Sequence, residues 1–588
     1  MLAIPARRSP SEIQSHTKLK SLSKMDVLME ADASFLKGKE FHRHRLILTK
    51  TKLICRPQEP KKNRSLVEFS IKLADVLISH FHEHLKDCGK FRHERQCSCI
   101  PCRTCCIAPS SSQVNYQEGV SAFLTVVSFP YNKPVKENGV RKKKEYVFLF
   151  EVESGPAENL RVAREWRGKI WNLCSPKNDV GRDERGGGDA TDSAAVKKRK
   201  FLVCINPFSG PGNAKQIYAR DVQPLFKEAD IEVEELVTKR QNHARELAAK
   251  VEYKEYDAVI IVSGDGLVFE WLNGIMERPD RDQAISLPMG IIPAGSGNAL
   301  AAAVLSSKKE QYFKNAHLHS AFCAAKGQSS PMDVVEVHYG NKTVYSFLAV
   351  VWGIISDIDI ESEWLRFIGS PRFTIQAFIR IINLRKYNGR LSYLPAEGYK
   401  YRKDSTTLME GSNDGEAIGS KLPLVTSNSV SVQAGDGIIN PSFERQDSSS
   451  SEQSTSNDSA SCRLPSLSEP VPSNWKVIEG KFICIAVLQD SHLSRDVIAW
   501  PNRAFSEGVM CIQYVLHSAT RSELFNVMTD MEHGTHMGKD TTKSVFAKAF
   551  RIEPMEDDGI ITVDGEKVEF GPIQGQMMDL KANILIPS

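Results

Sequence analysis

The sequence predicts an α/β domain built on a parallel sheet, followed by a mainly antiparallel β domain and preceded by a small β-rich domain. Three observations lead there. From Phe201 strand-like runs alternate with helical ones, which implies crossover helices and parallel strands. After about Pro331 the alternation stops and strand-like runs dominate. At 588 residues the chain also exceeds what one hydrophobic core organises, since cores stop growing beyond about 250 to 300 residues.

Hydrophobic content of 41% and charged content of 25% are near globular averages, so most of the chain can fold around apolar cores. The net charge of +4 provides no field of the kind nucleic-acid binding depends on, which excludes nucleic acid as a partner. The amino terminus, MLAIPARRSPSEIQSHTK, lacks the apolar core of a secretory signal. The most apolar run, Val344 to Ile358, is shorter than the roughly 18 to 20 residues a bilayer crossing needs, and Asp357 interrupts it. A cytoplasmic protein with reduced thiols and no transmembrane helix is expected.

Residues 1–38 are polar and without period and read as a disordered terminus. Residues 39–176 read as the small β-rich domain. LILTKTKLIC, SLVEFSIKLADVLI, SAFLTVVSF and YVFLFEVES alternate apolar with polar residues, and a helix from Glu158 to Cys174 closes the segment with Leu160, Ala163, Trp166, Ile170 and Trp171 near one face. A charged stretch at 177–198, carrying Gly186, Gly187 and Gly188, reads as a linker.

The α/β domain spans 199–332. FLVCI leads through NPFSGPGN into a helix from about Ala214, and IEVEELVT leads to a helix around His243 to Val251. AVIIV leads through SGDG to Leu267 through Ile275, and MGIIP leads through AGSGN to Ala299 through Leu305. The second domain, 333–588, holds the runs VVEVHY, TVYSFLAVVWG, GKFICIAVL, VMCIQYVLH, FAKAFRIEP and ITVDGEKVEF. About 402–473 is too polar to offset chain entropy and reads as a disordered insertion, whose serines beside acidic residues offer phosphorylation sites.

The strongest chemical signal is DAVIIVSGDG, Asp257 to Gly266: a buried-strand run delivers Asp265 between Gly264 and Gly266 at a strand's carboxyl end, where open parallel sheets bind ligands. Glycine lets backbone approach phosphate oxygens without a Cβ in the way. Gly435-Asp436-Gly437 repeats the tripeptide inside the polar insertion, with no apolar strand before it. Two more glycine loops, Asn206 to Asn213 and Pro293 to Asn298, end strands of the same sheet and open helices, whose amino termini attract anions. Three such loops on one edge point to a polyphosphate. The Walker ending and the protein-kinase elements are missing. Asp564-Gly565-Glu566 makes a second acidic turn, which reads both as a hairpin and as a carrier of carboxylates to Mg²⁺.

Taken together, SGDGLVFEWLNG (263–274), GIIPAGSGNALAAA (290–303), TKRQNHARELA (238–248) and WGIISDIDIESEWLRFIGSPRF (352–373) look like the sphingosine kinases, within the diacylglycerol-kinase-like superfamily. The resemblance covers about 201–395 and 474–588. The amino-terminal β-rich segment resembles the pleckstrin-homology-like region of longer relatives. The resemblance implies a nucleotide-binding α/β domain, a β-sandwich lipid-binding domain and a site in the cleft between them. It also implies transfer from ATP with Mg²⁺ to the primary hydroxyl of sphingosine or another sphingoid base.

Asp265 then matches the catalytic base and, with Glu566, a metal ligand. Asn206, Pro207, Phe208, Thr238, Gly264, Gly266, Glu270, Gly295, Ser296, Gly297, Arg366, Arg372, Asp564, Gly565 and Glu566 match the nucleotide site. Asp359 matches the acid that recognises the cationic head, and Phe373 and Phe378, with Ile375, Ile379 and Ile382, are candidates for the tail pocket. Transient peripheral contact with cytosolic membrane leaflets is implied, and a homodimer is left open. Phe208 and Pro211 stand where many relatives carry basic residues, and Gln241 where Arg can stand.

Two further signals are weaker. Cys97, Cys99, Cys102, Cys105 and Cys106 follow several histidines and could hold zinc, accept acyl chains or form an incidental reduced loop. Basic clusters at 61–64, 141–144 and 197–200 could approach anionic lipid or remain solvated, and the last could serve as a nuclear signal.

Overall fold

Apolar residues spaced two apart build the amino-terminal strands, and in this computed structural model the described residues are 27–37, 40–58, 68–82, 121–151, 155–174, 198–368, 371–399, 464–556 and 559–587. The chain divides into two compact units, residues 1–132 with 141–175, and residues 133–140 with 176–588.

In the first unit, seven antiparallel strands form one sheet. Phe69–Lys72 lies at one edge, followed in space by Lys52–Pro57, Glu40–Thr49, Val27–Lys37, Lys144–Phe150, Ala122–Ser128 and Val76–His82. The helix Pro156–Cys174 buries Ala163, Trp166 and Ile170 against Leu46, Leu124, Phe148 and Phe150, while Leu160 and Trp171 stay partly exposed. Val27–Lys37 corrects the expectation of a disordered terminus through residue 38. It pairs along its length with Glu40–Thr49, and its period-two signal was masked by alanine and acidic residues at alternate positions. Arg141 is also not a free basic residue: it is buried, donates to Asp75 (2.8 Å) and to the Phe129 carbonyl (2.7 Å), and lies over the Tyr131 ring. The cysteine cluster and the 61–64 basic run lie outside the described residues.

Among the described residues the second unit holds two large sheets and a two-stranded one, His492–Ser494 with Val497–Ile498. The first has six strands, in the spatial order Gln328–Met332, Ala582–Ile586, Met289–Pro293, Ala258–Ser263, Lys200–Ile205 and Glu232–Val237. All are parallel except the edge strand Gln328–Met332. Every residue of the central strand AVIIVS is buried, as expected of a strand covered by helices on both faces. Ala582–Ile586, almost at the carboxyl terminus, returns to this sheet, so a division of the chain at 332/333 leaves one of its strands behind.

The second sheet has ten strands, with only antiparallel pairings, running between Val335 and Met577. The buried Arg551 donates to the carbonyls of Ser466 and Glu469, and Gln574 donates to that of Pro465, so residues 465–469 are held in place inside the stretch expected to be disordered. Residues 400–463 lie outside the described set.

The sheets are joined by buried polar contacts. Asn273, on the helix Asp265–Met276, exchanges two 2.9 Å hydrogen bonds with the backbone of Tyr345. Asp333, where the chain passes from one sheet to the other, is buried against Arg503 and Lys581 and accepts the amides of Glu507 and Gly508. Among the described residues no helix is long and apolar enough to cross a membrane.

Candidate active site

The strand Ala258–Ser263 ends at Gly264, which starts the helix Asp265–Met276. Glycine is required here by contact. A Cβ at 264 would lie 2.4 Å from the Gly297 carbonyl oxygen, and one at 295 would lie 2.5 Å from the Gly264 Cα. Two of the glycine loops thus touch backbone to backbone. The third joins them: Ser263 Oγ donates to Ser209 Oγ at 2.9 Å, and a Cβ at Gly210 would meet the Ala294 carbonyl at 3.0 Å. Within that loop Asn206 accepts the Phe208 amide at 3.0 Å, making a turn that leaves Pro207 beside it and Phe208 69% exposed.

Asp265 is 7% exposed. Its amide donates to the Gly297 carbonyl, while its carboxylate accepts the amides of Ala299 (2.7 Å, Oδ2) and Leu300 (3.1 Å, Oδ1) at the start of the helix Ala299–Ser307. Burial pushes its proton affinity up and these two amides oppose the rise. Each oxygen keeps one lone pair for further work. Nearby, the Ser296 hydroxyl is buried with no partner among the described residues.

Thr238 and Glu270 build the frame around the loops. Thr238 is buried and bonds the Ile205 carbonyl through its amide. Glu270 accepts the amides of Asn242 (2.9 Å) and Ala244 (3.1 Å), capping the short helix His243–Ala248.

The acidic turn is a hairpin, with positive φ at Asp564 and Gly565 and with Val563 paired to Glu566. Its two carboxylates have different surroundings. Asp564 is 3% exposed and accepts the Ser346 hydroxyl (2.6 Å) and the amides of Phe347, Leu348 and Ala349 (2.9–3.0 Å). Burial pushes it up to about 6 against those four donors. The structure therefore turns Asp564 inward, onto the Ser346 hydroxyl and three backbone amides. Glu566 instead reaches the Asp265 helix: its Oε1 is 2.9 Å from where a Gly266 Cβ would stand.

Asp359, on the helix Ile354–Glu361, stands beside the same hairpin turn. Its Oδ2 is 3.3 Å from the Cβ position of Gly565. Burial pushes Asp359 up to about 7; Arg372 pulls it down, while Glu363, Glu566 and Asp265 push it further up. Arg372 Nη2 lies 3.4 Å from Asp359 Oδ1, and Nη1 bonds Glu363. Arg366 falls in the turn of helix Glu363–Ile368, with its side chain outside the described set. Phe373 packs against the core and carries the Arg372 guanidinium 4.3 Å over its ring. The structure does not bring Phe378 inward: it is 53% exposed, next to the Phe525 ring, and Ile375, Ile379 and Ile382 are exposed with it.

One residue escaped the sequence reading. Asp490 is 4% exposed, its Oδ2 has no partner among the described residues, and burial, with Asp265 adding to it, pushes it up to about 7 against the Ser491 amide and Arg503. A signal existed: Asp490 follows the buried run Phe482–Leu488 as Asp265 follows its own strand, but without flanking glycines.

Among the described residues no group of three or more His, Cys, Asp or Glu side chains is arranged to hold a metal ion. The donors present suit Mg²⁺, which usually takes one or two carboxylates with phosphate and water completing its shell.

Residues 200–337 match the family model described as diacylglycerol kinase catalytic domain. The chain is 30% identical over 526 residues to sphingosine kinase 2 of Homo sapiens, covering 76% of this chain and 79% of that protein. It is 35% identical over 384 residues to sphingosine kinase 1 of Homo sapiens, covering 64% and 88%. With sphingosine kinase 1 of Arabidopsis thaliana it shares 31% over 381 residues, covering 64% and 70%. With this much of each relative covered at this identity, the chain belongs to the sphingosine kinase family.

Proposed function

We propose that this protein is an ATP-dependent lipid kinase that phosphorylates the primary hydroxyl of sphingosine or a related sphingoid base, giving sphingosine 1-phosphate. The relatives named above support the activity. The observation that carries the mechanism is the convergence of Asp265, Glu566 and Asp359, from three distant parts of the chain, beside loops packed backbone to backbone.

In this reading the loops at 206–213, 263–266 and 293–298 cradle the phosphates, with Ser296 as a spare donor. Asp265 takes the proton of the lipid hydroxyl as its oxygen bonds to the terminal phosphorus and the bond to the bridging oxygen breaks, releasing ADP. Burial raises its proton affinity, which favours its taking up that proton. Mg²⁺, when bound, neutralises phosphate charge, and Glu566 with Asp265 would supply its carboxylates. Asp359 pairs with the protonated amine, an interaction on the order of a few kcal/mol at effective dielectric near 20. That pair separates sphingosine from lipids lacking a cationic amine.

The helix Pro371–Ile382 carries apolar residues on both faces, with Ile381 buried and Phe373 packed against the core. Arg372 and Gln376 are buried, Gln376 and Arg380 bond Glu361, and Ile375, Phe378, Ile379 and Ile382 face outward. With Trp364 also exposed, this face supports transient contact with a membrane leaflet. The strand order and closing helix of the first unit support a pleckstrin-homology-like domain, and the ten antiparallel strands support a sandwich-type lipid domain.

Purified protein with labelled ATP and a lipid panel tests the proposal. Transfer is expected to sphingosine over ceramide and diacylglycerol, and Asp265→Asn should lose about 10²- to 10⁴-fold in kcat. Equal use of uncharged lipids, or full turnover by Asp265→Asn, would refute it.

A further inference from the structure

Arg372, itself assigned to the nucleotide, faces Asp359, which is assigned to the sphingoid base. It is 4% exposed at the first turn of its helix and held on one face by the Phe373 ring. Nη1 bonds Glu363 and Nη2 faces Asp359 at 3.4 Å, while Nε is buried with no partner among the described residues. A guanidinium so enclosed can exchange partners only locally, and it has one donor direction unspent.

We propose that Arg372 couples the two substrates: nucleotide phosphate and Asp359 draw on the same guanidinium, so each substrate raises the protein's affinity for the other. This rests on the reading that Asp359 takes the amine and that Arg372 faces phosphate. Asp359 lies in the field of three other carboxylates, Glu363, Glu566 and Asp265, and Arg372 is the cation that offsets them. When phosphate draws Arg372 away, Asp359 is left beside like charges and a cationic amine is the natural replacement. Conversely, an ammonium on Asp359 takes over Arg372's task and frees the guanidinium for phosphate. By linkage the two effects must be equal in size. Glu363 is a positioning residue in this scheme. Its side chain is 48% exposed and it holds Arg372 on the Asp359 side, against transfer to phosphate.

Binding of a non-hydrolysable ATP analogue with Mg²⁺ to the purified full chain, with and without sphingosine in detergent micelles, tests this, together with sphingosine binding with and without the analogue. Each ligand is expected to tighten the other by about tenfold, within the usual range of such couplings. Arg372→Gln should bring that factor close to one; the direct attraction of phosphate for ammonium survives this change, so undiminished coupling in Arg372→Gln overturns the proposal. Glu363→Gln, at an exposed position that keeps the test open if Arg372→Gln folds poorly, should tighten the analogue several-fold without lipid and shrink the coupling. An unchanged Glu363→Gln overturns it too. Asp359→Asn separates the two levels. Loss of sphingosine affinity there, with no coupling in the native protein, refutes the coupling alone, whereas unchanged sphingosine affinity refutes the amine site and the coupling with it.

Discussion

Gly266→Ala should separate activity from stability. Gly266 is the second residue of the helix Asp265–Met276 and has no positive φ, so alanine fits its backbone and gains up to about 1 kcal/mol of helix preference. Its Cβ would stand 2.9 Å from Glu566 Oε1 and would meet no other atom within 4 Å beyond its own helix and chain neighbours. An ordinary carbon–oxygen contact is longer by roughly half an ångström, and a carboxylate at the end of a flexible side chain will yield before two backbones do. Glu566 is therefore displaced by about that much. Since a misplacement of about 1 Å can cost 10²-fold, the expected loss in kcat is roughly tenfold, or about 1.4 kcal/mol of barrier. Gly264→Ala is the contrast, because its Cβ meets the Gly297 carbonyl at 2.4 Å and the Gly295 Cα at 3.1 Å, both backbone. It should lose stability as well as activity. Thermal melting and steady-state kinetics with saturating ATP and sphingosine read both quantities. A Gly266→Ala protein with native kcat, or one as destabilised as Gly264→Ala, would show that Glu566 does not work against the Asp265 helix.

Asp564→Asn keeps a residue tolerant of positive φ but replaces one acceptor oxygen with a donor, leaving at least one buried amide without a partner at a cost of about 1–3 kcal/mol. Denaturant unfolding should show that loss; a variant of native stability that fails to bind nucleotide would instead make Asp564 a ligand. Asp490 holds its proton up to about 7 in the folded protein, above the ordinary carboxyl value of about 3.9. Its contribution to stability is therefore present below about pH 4 and is lost as pH rises through about 7, amounting to a few kcal/mol at most. Asp490→Asn removes that cost, so it should melt above the native protein at pH 8, with the gap narrowing steadily as pH falls from about 7 to about 4. A difference independent of pH would contradict the placement of Asp490 as an unpaired buried acid.

Local signals in the chain were enough to determine the strand that delivers Asp265, the glycine loops around it, the change from parallel to antiparallel architecture and the hairpin at 564–565. Each depends on residue spacing or backbone freedom within a few positions, and those properties travel with the sequence. Only the tertiary structure decided that Asp564 is spent on the amides of Phe347, Leu348 and Ala349 while Glu566, two residues on, meets Gly266. It alone set Arg372 between Asp359 and Glu363, turned Phe378 outward, buried Asp490, and returned Ala582–Ile586 to the first sheet. The reason is physical: propensity and periodicity act between near neighbours, whereas the partner of a buried charge is chosen by packing among segments that can be 218 or 248 residues apart, whose desolvation must be offset wherever the fold happens to place them.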